Sequence, residues 1–346
     1  MPQEEGLPST SRLLGLVDAM AGRPVIMLAD MVADRFVTGT PKRISREAPV
    51  LILRHESEVL VPGGGANAVA NVAALGGRPL PLGVVGDDAS GRELVACFEE
   101  RGIATSGIAV NAGYRTPTKV RILGGGRHAI KQQIVRYDVE DSIEPGAAEL
   151  TTFQRALSAW KNEARVGVLS DYGYGIVQPA MVEPLRTAMA AGGRVLCDSR
   201  HRLADFAGVD AATPNAEEAE SLLGRSLDDD LDGSGRELRR RLACPTLLVT
   251  RGSSGMSLFT GTATIHLPVH GTTQVADVTG AGDTVIGTFA LATAAGATPL
   301  EAALLANYAG GVVVMKMGTA TLDRAELAAA VTAGSGLLAR VSWAAS

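Results

Sequence analysis

The chain has 346 residues, of which 46% are hydrophobic and 20% are charged, a composition typical of a soluble globular protein. Its formal net charge of −5 and its scattered basic residues argue against a nucleic-acid partner and against an anionic membrane surface. Three widely spaced cysteines, an N-terminus unlike a signal peptide and the lack of a long apolar run predict a cytoplasmic protein.

The N-terminal part is predicted to contain a strand, a β-rich insert and a helix, in that order. Residues 1–22 are expected to form a tail with one short helix, and residues 23–340 a single α/β domain. The apolar segment RPVIMLAD, residues 23–30, predicts a buried strand that ends in an acid. Residues 35–61 alternate polar and apolar side chains, which predicts exposed antiparallel β-structure. Ala, Val and Leu at three- and four-residue spacing then predict a helix over 63–76.

Strands and helices alternate through the rest of the chain. Repeated β–α units predict a mostly parallel sheet that is covered by helices on both faces. A second non-helical insert, residues 113–140, predicts a hairpin that turns at residues 124–126. We expect the two inserts to pair into a small sheet that forms a lid beside the main sheet. Helices over 283–296 and 299–314 are expected to close the chain.

Two glycine-rich segments each allow more than one interpretation. The segment from Gly63 to Ala68 contains GxGxxA, but it lies after a β-insert, so dinucleotide binding is only weakly indicated. It can be a close-packed helix start, or a polar cradle in which glycine N–H groups and the Asn67 amide bind hydroxyls. The segment from Thr250 to Gly255 follows a strand and fits either a loop around a phosphate chain or a plain turn.

The segment ADVTGAGDTVIG, residues 276–287, carries the strongest chemical signal. Its three small residues, Gly280 to Gly282, predict a turn with bare N–H groups at a helix N-terminus, which attracts anions. A carboxylate there would repel a phosphate, so we interpret Asp283 as a general base beside an anion under attack. The alternative is that Asp283 only complements the helix dipole. The chain has no Walker P-loop, HRD or DFG motif, which excludes P-loop enzymes and protein kinases.

Three motifs, in this order, resemble the ribokinase-like (PfkB) carbohydrate kinases over residues 24–335. They are the three glycine-rich segments above, of which GGGAN at residues 63–67 and DVTGAGD, which ends at Asp283, are the specific ones, and TPNAEEAE at residues 213–220 adds a further element of the family. The resemblance implies a Rossmann-like three-layer α/β/α sandwich with a mostly parallel central sheet and a small β-sheet lid over the sugar. It also implies ATP as the phosphoryl donor, Mg²⁺ near the phosphates and K⁺ as an activating ion.

Within that family the chain resembles the D-glycero-D-manno-heptose 7-phosphate kinases of lipopolysaccharide precursor synthesis. The resemblance lies in stretches such as ISREAPV, RYDVED, SDYGYG and NYAGGVVVMKMGTAT. It implies phosphorylation of the anomeric hydroxyl to a 1,7-bisphosphate. We expect a kinase-only chain, without the nucleotidylyltransferase to which many such kinases are fused. The chain departs from the family pattern at Ala29, Tyr174 and Arg200, and the last two positions fall where the family contacts nucleotide or substrate.

The residues and the resemblance together predict a catalytic centre, a sugar site and a nucleotide site. The catalytic residues are predicted to be Gly280, Ala281, Gly282 and Asp283. The sugar site is predicted to contain Asp34, Gly64, Gly65 and Asn67, while Asp30 is either a direct contact or a support. A substrate phosphate is predicted to meet lid cations from the set Lys42, Arg43, Lys119, Arg121 and Arg136. The resemblance places the nucleotide and its ions near Asn215, Glu218 (Mg²⁺, through water), Thr250, Gly252, Gly255, Asp277 (K⁺) and Asn307.

The partner and function predictions leave two alternatives to the heptose phosphate kinase. Open lid edges need covering, which predicts a homodimer formed through the lid. One alternative is a kinase of the same fold for another sugar, sugar phosphate or nucleoside. The other is a non-catalytic sensor of nucleotide or sugar, which the intact Asp283 disfavours because sensing needs no base.

Overall fold

Two β-sheets and their covering helices make up the described chain, residues 6–126, 131–271 and 276–344 of a computed structural model. The strands are β1 (Pro24–Ala29), β2 (Met31–Ile44), β3 (Leu51–Gly63), β4 (Arg78–Gly86), β5 (Ile108–Asn111), β6 (Thr118–Gly124), β7 (Gln132–Val139), β8 (Val166–Asp171), β9 (Arg194–Ser199), β10 (Ala211–Ala212), β11 (Thr246–Thr250), β12 (Met256–Phe259), β13 (Thr264–Leu267) and β14 (Ser342–Trp343). The helices are α1 (Thr10–Ala19), α2 (Gly64–Ala74), α3 (Ala89–Glu100), α4 (Ala147–Ala159), α5 (Val182–Ala188), α6 (Ala216–Leu223), α7 (Leu231–Arg241), α8 (Ala281–Ala294), α9 (Pro299–Val313) and α10 (Arg324–Ala333).

The large sheet has ten strands in the order β14-β13-β12-β11-β10-β9-β8-β1-β4-β5. The seven strands from β11 to β5 pair in parallel, and β12, β13 and β14 extend the sheet with antiparallel pairs. Central strands such as β1 are runs of buried apolar residues, as expected for parallel strands that are covered on both faces. The predicted α/β class with a mostly parallel sheet is confirmed.

Two apolar clusters on opposite faces of the large sheet give the fold its three layers. One cluster joins the sheet to α1, α2, α3, α8, α9 and α10, and the other joins it to α4, α5, α6 and α7. Several helix starts follow from local sequence: α9 begins after Thr298, which forms a reciprocal capping pair with Glu301 around Pro299.

The small sheet, which we call the lid, has the order β3-β2-β6-β7. Strand β2 pairs antiparallel with β3 and parallel with β6, and β6 pairs antiparallel with β7. The expectation that two β-inserts combine into one small sheet is therefore confirmed. The predicted hairpin turn at 124–126 leads into residues 127–130, which lie outside the described residues.

The C-terminal end differs from expectation. The prediction that α9 closes the chain is wrong, because α10 follows it and packs against α1 and α9, and β14 adds a strand at the sheet edge. None of the helices in the described ranges combines the length and the hydropathy that a bilayer crossing requires. The sites described next lie where β1, β8, β9 and β11 end and α8 begins.

Candidate active site

Asp283 lies in the first turn of α8 and is almost fully buried. Its Oδ2 accepts a hydrogen bond from Asn67 Nδ2 at 2.9 Å, and its Oδ1 accepts one from the Tyr172 hydroxyl at 2.6 Å. Burial raises the pKa of Asp283 to about 7, although these two hydrogen bonds oppose that rise. A carboxylate with a pKa near neutrality is suited to accept and release a proton.

The turn before Asp283 depends on glycine. Gly280 is the N-cap of α8 with a φ of 79°, a conformation that favours glycine. A Cβ atom on Gly280 would lie 2.6 Å from Asn67 Nδ2, so the close approach of α2 to α8 also requires this glycine. Helix α8 begins at Ala281, two residues before the predicted start.

The N-terminus of α8 presents free hydrogen-bond donors. The backbone N–H groups of Gly282 and Asp283 donate to none of the described residues. Gly282 faces open space, because a Cβ atom added to it would have no atom within 4 Å. Unpaired N–H groups and the positive end of the helix dipole make this turn a binding site for an anion.

Asn67 belongs to a buried hydrogen-bond chain between α2 and α8. Asn71 Nδ2 donates to Asn67 Oδ1 at 3.1 Å, and Thr284 Oγ1 donates to Asn71 Oδ1 at 3.1 Å. This chain orients the Asn67 amide so that its nitrogen faces Asp283. The adjacent Gly65 packs directly against β1, because a Cβ atom there would lie 2.7 Å from the Asp30 carbonyl oxygen.

Asp34 lies on β2 and is bound on both oxygens. Its Oδ1 accepts from Arg121 Nη1 at 2.6 Å, and its Oδ2 accepts from the Thr319 hydroxyl at 2.5 Å. The Arg121 guanidinium also lies 5.3 Å from the ring centroid of Phe36. Arg121 is therefore paired with Asp34, and its contact with a substrate phosphate stays a prediction.

The remaining lid cations fall into two groups. Lys119 is only 9% exposed and makes no hydrogen bond or ion pair with the described residues, and its nitrogen lies 5.2 Å from the Tyr172 ring centroid. Burial lowers the pKa of Lys119. Arg136 is instead bound to Asp138 on the same strand, and Lys42 and Arg43 are exposed near the end of β2.

Asp30 acts as a support in this structure. Its carboxylate accepts backbone N–H groups from Tyr172, Tyr174 and Ile176 at 2.7, 3.1 and 3.3 Å. Burial raises the pKa of Asp30 to about 6, against the effect of these hydrogen bonds. Of the two interpretations that the sequence left open, the contacts favour support: Asp30 fixes the loop that follows β8.

A cleft with two parts lies beside the N-terminus of α8. The apolar part, of about 190 Å³, contains the predicted nucleotide residues Thr250, Gly252, Gly255 and Asn307. The polar part, also of about 190 Å³, contains Asp171, Tyr172, Asp198, Arg200, Thr213, Asn215, Glu218, Thr250 and Gly282. Thr250 and Gly282 line both parts, so the structure brings the predicted nucleotide residues and the catalytic turn together.

Asn215 and Glu218 form a reciprocal capping pair at the start of α6. Each side chain accepts the other residue's backbone N–H at 2.9 Å. Burial raises the pKa of Glu218, and burial together with the nearby Glu218 raises the pKa of Asp198. Among the described residues no group of three or more His, Cys, Asp or Glu side chains could hold a metal ion by itself.

Asp277 lies in the loop before α8. Its Oδ1 accepts from the Thr279 N–H at 2.9 Å and its Oδ2 accepts from the Gly318 N–H at 3.0 Å, and the pKa of Asp277 is lowered. The loop after α9 thus reaches both Asp277, through Gly318, and Asp34, through Thr319.

Sequence reasoning did not single out Tyr172, Thr319 or Asp198. Tyr172 directly follows β8, and Asp198 is the last residue but one of β9. Ligand-binding residues of parallel sheets collect at these strand ends, so the position in the predicted strands could have identified both. Thr319 lies in a loop without a comparable local signal.

Comparison with known proteins identifies relatives over most of the chain. A family model described as pfkB family carbohydrate kinase matches residues 30–325. The chain is 38% identical over 333 residues to the bifunctional protein HldE of Mesorhizobium japonicum, covering 94% of this chain and 65% of that protein. It is 41% identical over 329 residues to HldE of Caulobacter sp. strain K31, covering 91% and 64%. The chain therefore spans just under two thirds of the length of these relatives.

Solved structures share the fold at low sequence identity. Phosphofructokinase-2 from Escherichia coli in complex with substrates and products has a TM-score of 0.70 at 18% identity. The same enzyme in complex with potassium has a TM-score of 0.70 at 19% identity. Arabidopsis thaliana ribokinase complexed with ribose and ATP has a TM-score of 0.68 at 20% identity. Each comparison covers 90% of this chain and 99% of the other.

Proposed function

Because the chain belongs to the pfkB family of carbohydrate kinases, we propose that it transfers the γ-phosphoryl group of ATP to the anomeric hydroxyl of D-glycero-D-manno-heptose 7-phosphate. The product is the 1,7-bisphosphate, an intermediate on the way to ADP-heptose and lipopolysaccharide. The sugar assignment rests on the resemblance of the sequence motifs to heptose phosphate kinases. The single observation that supports a phosphorylated acceptor is Lys119, a buried ammonium that makes no hydrogen bond or ion pair with the described residues.

The transfer needs a base and an anion site next to each other, and α8 offers both. The acceptor hydroxyl gives its proton to the Asp283 carboxylate while its oxygen attacks the γ-phosphorus. The bond between that phosphorus and the β,γ-bridging oxygen breaks, and ADP leaves with the electron pair. The free N–H groups of Gly282 and Asp283 lie where negative charge accumulates on the transferred group.

The two-part cleft fits a nucleotide that ends at α8. Its apolar part, with Met256, Val285 and Asn307 in its lining, suits the adenine ring, and the polar part suits the triphosphate. In the solved ribokinase fold neighbour from Arabidopsis thaliana the bound nucleotide is ATP. The glycines at 252 and 255, with φ of 53° and 83°, lie in a turn that lines the apolar part.

Mg²⁺ fits the polar part of the cleft through water and phosphate oxygens. Asp198 and Glu218 face the same space, and burial is the main reason why the pKa values of both carboxyl groups are raised. Two carboxylates together with phosphates are a common set of Mg²⁺ ligands. Bound there, Mg²⁺ would neutralise phosphate charge. Asp277 is the proposed K⁺ contact, in line with the potassium complex of the phosphofructokinase-2 neighbour.

The buried Lys119 gives the acceptor site its preference for an anion. An ammonium taken out of water without a partner is unfavourable, and a bound phosphate would remove that penalty. Arg200 adds to the positive potential at Lys119, whereas Arg121 is already neutralised by Asp34. A neutral sugar would leave Lys119 unpaired, so the site favours a sugar phosphate.

The substrate assignment is tested by measuring kcat/KM for four acceptors at one salt concentration. These are the heptose 7-phosphate, free heptose, fructose 6-phosphate and ribose. We expect the heptose 7-phosphate to exceed free heptose by 10²-fold or more, since charge-assisted contacts contribute roughly 1.5 to 3 kcal/mol each. Equal use of a neutral sugar would overturn the phosphate argument, and a higher value for fructose 6-phosphate would overturn only the heptose assignment.

A matched pair of lid variants tests the role of Lys119 separately. Lys119→Gln should lower kcat/KM for the sugar phosphate by roughly 10- to 100-fold while leaving a neutral sugar nearly unaffected. Lys131→Gln, which removes a lid lysine already paired with Glu56 on β3, should change neither value. An equal loss for phosphorylated and neutral sugars in Lys119→Gln would contradict the proposed phosphate contact.

We also propose that the lid joins two copies of the chain. Its strands expose apolar side chains to solvent, including Leu51, Val59, Ile134, Val135 and Tyr137. A second lid would cover these side chains and the open edges of β3 and β7. Light scattering after size exclusion should give a dimer mass for the wild type and a monomer mass for the double variant Val59→Glu, Val135→Glu. A monomeric wild type at micromolar concentration would contradict the proposal.

A further inference from the structure

We propose that Tyr172 is a positioning residue for the catalytic base, whose phenol holds the Asp283 carboxylate in its charged form and in one orientation. The inference rests on the proposed function, in which Asp283 accepts the proton of the sugar hydroxyl. Tyr172 is the second residue of the segment DYGYG that follows β8, far from Asp283 in sequence. The three-dimensional contact carries the argument.

The Tyr172 side chain contacts three parts of the site. Its hydroxyl donates to Asp283 Oδ1 at 2.6 Å, a short hydrogen bond to a carboxylate. Gly64 leaves space for the ring, because a Cβ atom there would lie 3.3 Å from Tyr172 Cε2. The Lys119 ammonium lies over the same ring, 5.2 Å from its centroid. Tyr172 thus connects the base, the α2 turn and the lid.

The backbone of Tyr172 is fixed independently of its side chain. Its N–H donates to Asp30 at 2.7 Å, and Asp30 also binds the next turn of the loop. The preceding Asp171 accepts from Ser199 Oγ at 2.6 Å and from Arg202 Nη2 at 2.9 Å. A loop that is anchored on both sides can hold a phenol in place at little further entropic cost.

The phenol donates a hydrogen bond and keeps its own proton. Burial, together with the adjacent Asp283, raises the pKa of Tyr172 well above its usual value. The second carboxylate oxygen of Asp283 is bound by Asn67. Each carboxylate oxygen can accept two hydrogen bonds, so both donors leave room for the acceptor hydroxyl. The two donors therefore orient the base without blocking it.

Several charged groups face Asp283, but the direct hydrogen bond to its Oδ1 comes from the neutral phenol of Tyr172. The charged groups are Lys119 on β6, Asp34 on β2 and Asp198 on β9. Asp34 raises the pKa of Asp283 and Lys119 lowers it, while burial accounts for most of the rise. Loss of the phenol would remove a hydrogen bond that lowers the pKa of Asp283, so burial would raise that pKa further. More of the enzyme would then carry a protonated, inactive base at neutral pH.

The test is the pH dependence of kcat for Tyr172→Phe between pH 6 and 9.5. We expect the acid limb to move up by about one pH unit, with roughly a fivefold loss at pH 7 that largely recovers at pH 9. Tyr308→Phe is the matched control, because it removes another buried phenol, one that donates to the Gly334 carbonyl at 2.8 Å. Its acid limb should coincide with that of the wild type.

A purely structural role for Tyr172 would lower kcat by the same factor at every pH, and that result would overturn the inference. A second variant tests the same inference without removing the hydroxyl group of Tyr172. Site-specific 3,5-difluorotyrosine at position 172 is a stronger donor, so the acid limb should move to lower pH; an unchanged limb would also count against the inference.

Asp283→Asn separates the two proposals: if that variant stays active, the base assignment fails, whereas an unshifted Tyr172→Phe profile overturns only the role of Tyr172.

Discussion

Asp30 after β1 and Asp283 at the start of α8 are both almost fully buried, but they are held in different ways. Asp30 accepts three backbone N–H groups from one loop. Asp283 accepts two side-chain donors, from Tyr172 and Asn67. Burial raises both pKa values, to about 6 for Asp30 and to about 7 for Asp283.

The difference fits a supporting carboxylate at Asp30 and the proposed base at Asp283. Backbone donors cannot move away without unfolding the loop, so the contacts of Asp30 favour a supporting role. Side-chain donors can shift by small rotations, and the bare N–H groups beside Asp283 leave a place for an anion. Equal burial therefore does not imply equal function; the type of donor decides.

The largest expected effect is that of Asp283→Asn on turnover. The amide keeps the shape but cannot take the proton, so kcat should fall by on the order of 10²- to 10⁴-fold. ATP affinity should change little, because the nucleotide contacts are elsewhere in the cleft. Steady-state kinetics and calorimetry with the folded variant measure both; a near-wild-type kcat would remove Asp283 from the catalytic role.

The next largest expected effect is that of Asp30→Ala on stability, which tests the contrast between Asp30 and Asp283. Asp30→Ala leaves three loop N–H groups without their acceptor and should lower the free energy of unfolding by roughly 2 to 4 kcal/mol. Asp30→Asn keeps one carbonyl acceptor and should lose less. Urea unfolding of both variants and the wild type gives the comparison, and an unchanged midpoint for Asp30→Ala would mean that the loop has other anchors.

Sugar binding should respond more moderately to changes in the cradle. Asn67→Ala and Asp34→Ala should each weaken sugar affinity by roughly 1 to 3 kcal/mol per strong hydrogen bond. Asp34→Ala also frees Arg121, so the double variant Asp34→Ala, Arg121→Met is the control for an unpaired buried charge. Unchanged calorimetric sugar binding in both single variants would show that the sugar lies elsewhere.

The smallest effect is a pH-dependent difference in stability between Asp283→Asn and the wild type. A raised pKa means that native Asp283 holds its proton up to about pH 7, whereas the unfolded chain releases it near pH 4. The native state thus binds more protons in that window, and wild-type stability falls as pH rises through it. Asp283→Asn should gain roughly 2 kcal/mol over the wild type between pH 5 and pH 8. Denaturant unfolding at the two pH values measures this, and equal gains at both would contradict the raised pKa.

Much of the fold could be predicted because local patterns carry it. The run RPVIMLAD gave β1 within a residue at each end, and the glycine-rich segment after it gave α2. The alternation over 35–61 predicted β2 and β3. Helix α10 and strand β14 were missed, since their short amphipathic and exposed segments carry weak signals before they pack against α9 and β13.

The candidate site could be predicted only in part. Asp283 and its glycine turn stand next to each other in sequence, so their combination is visible there. Arg121 is bound to Asp34, 87 positions away, and no sequence pattern indicates that pair. The roles of the predicted site residues stay predictions until the variants above are measured.

By itself, the sequence determined the parallel α/β architecture, the lid and the acid beside a bare turn, because each depends on neighbours within a few residues. Only the tertiary structure decided which polar groups meet. It brought Tyr172 and Asn67 to Asp283, bound Arg121 to Asp34 and buried the Lys119 ammonium over the Tyr172 ring, without a hydrogen bond or ion pair to the described residues. The physical reason is that hydrogen bonding, burial and the pKa shifts they cause depend on distances between segments far apart in the chain, which folding alone sets.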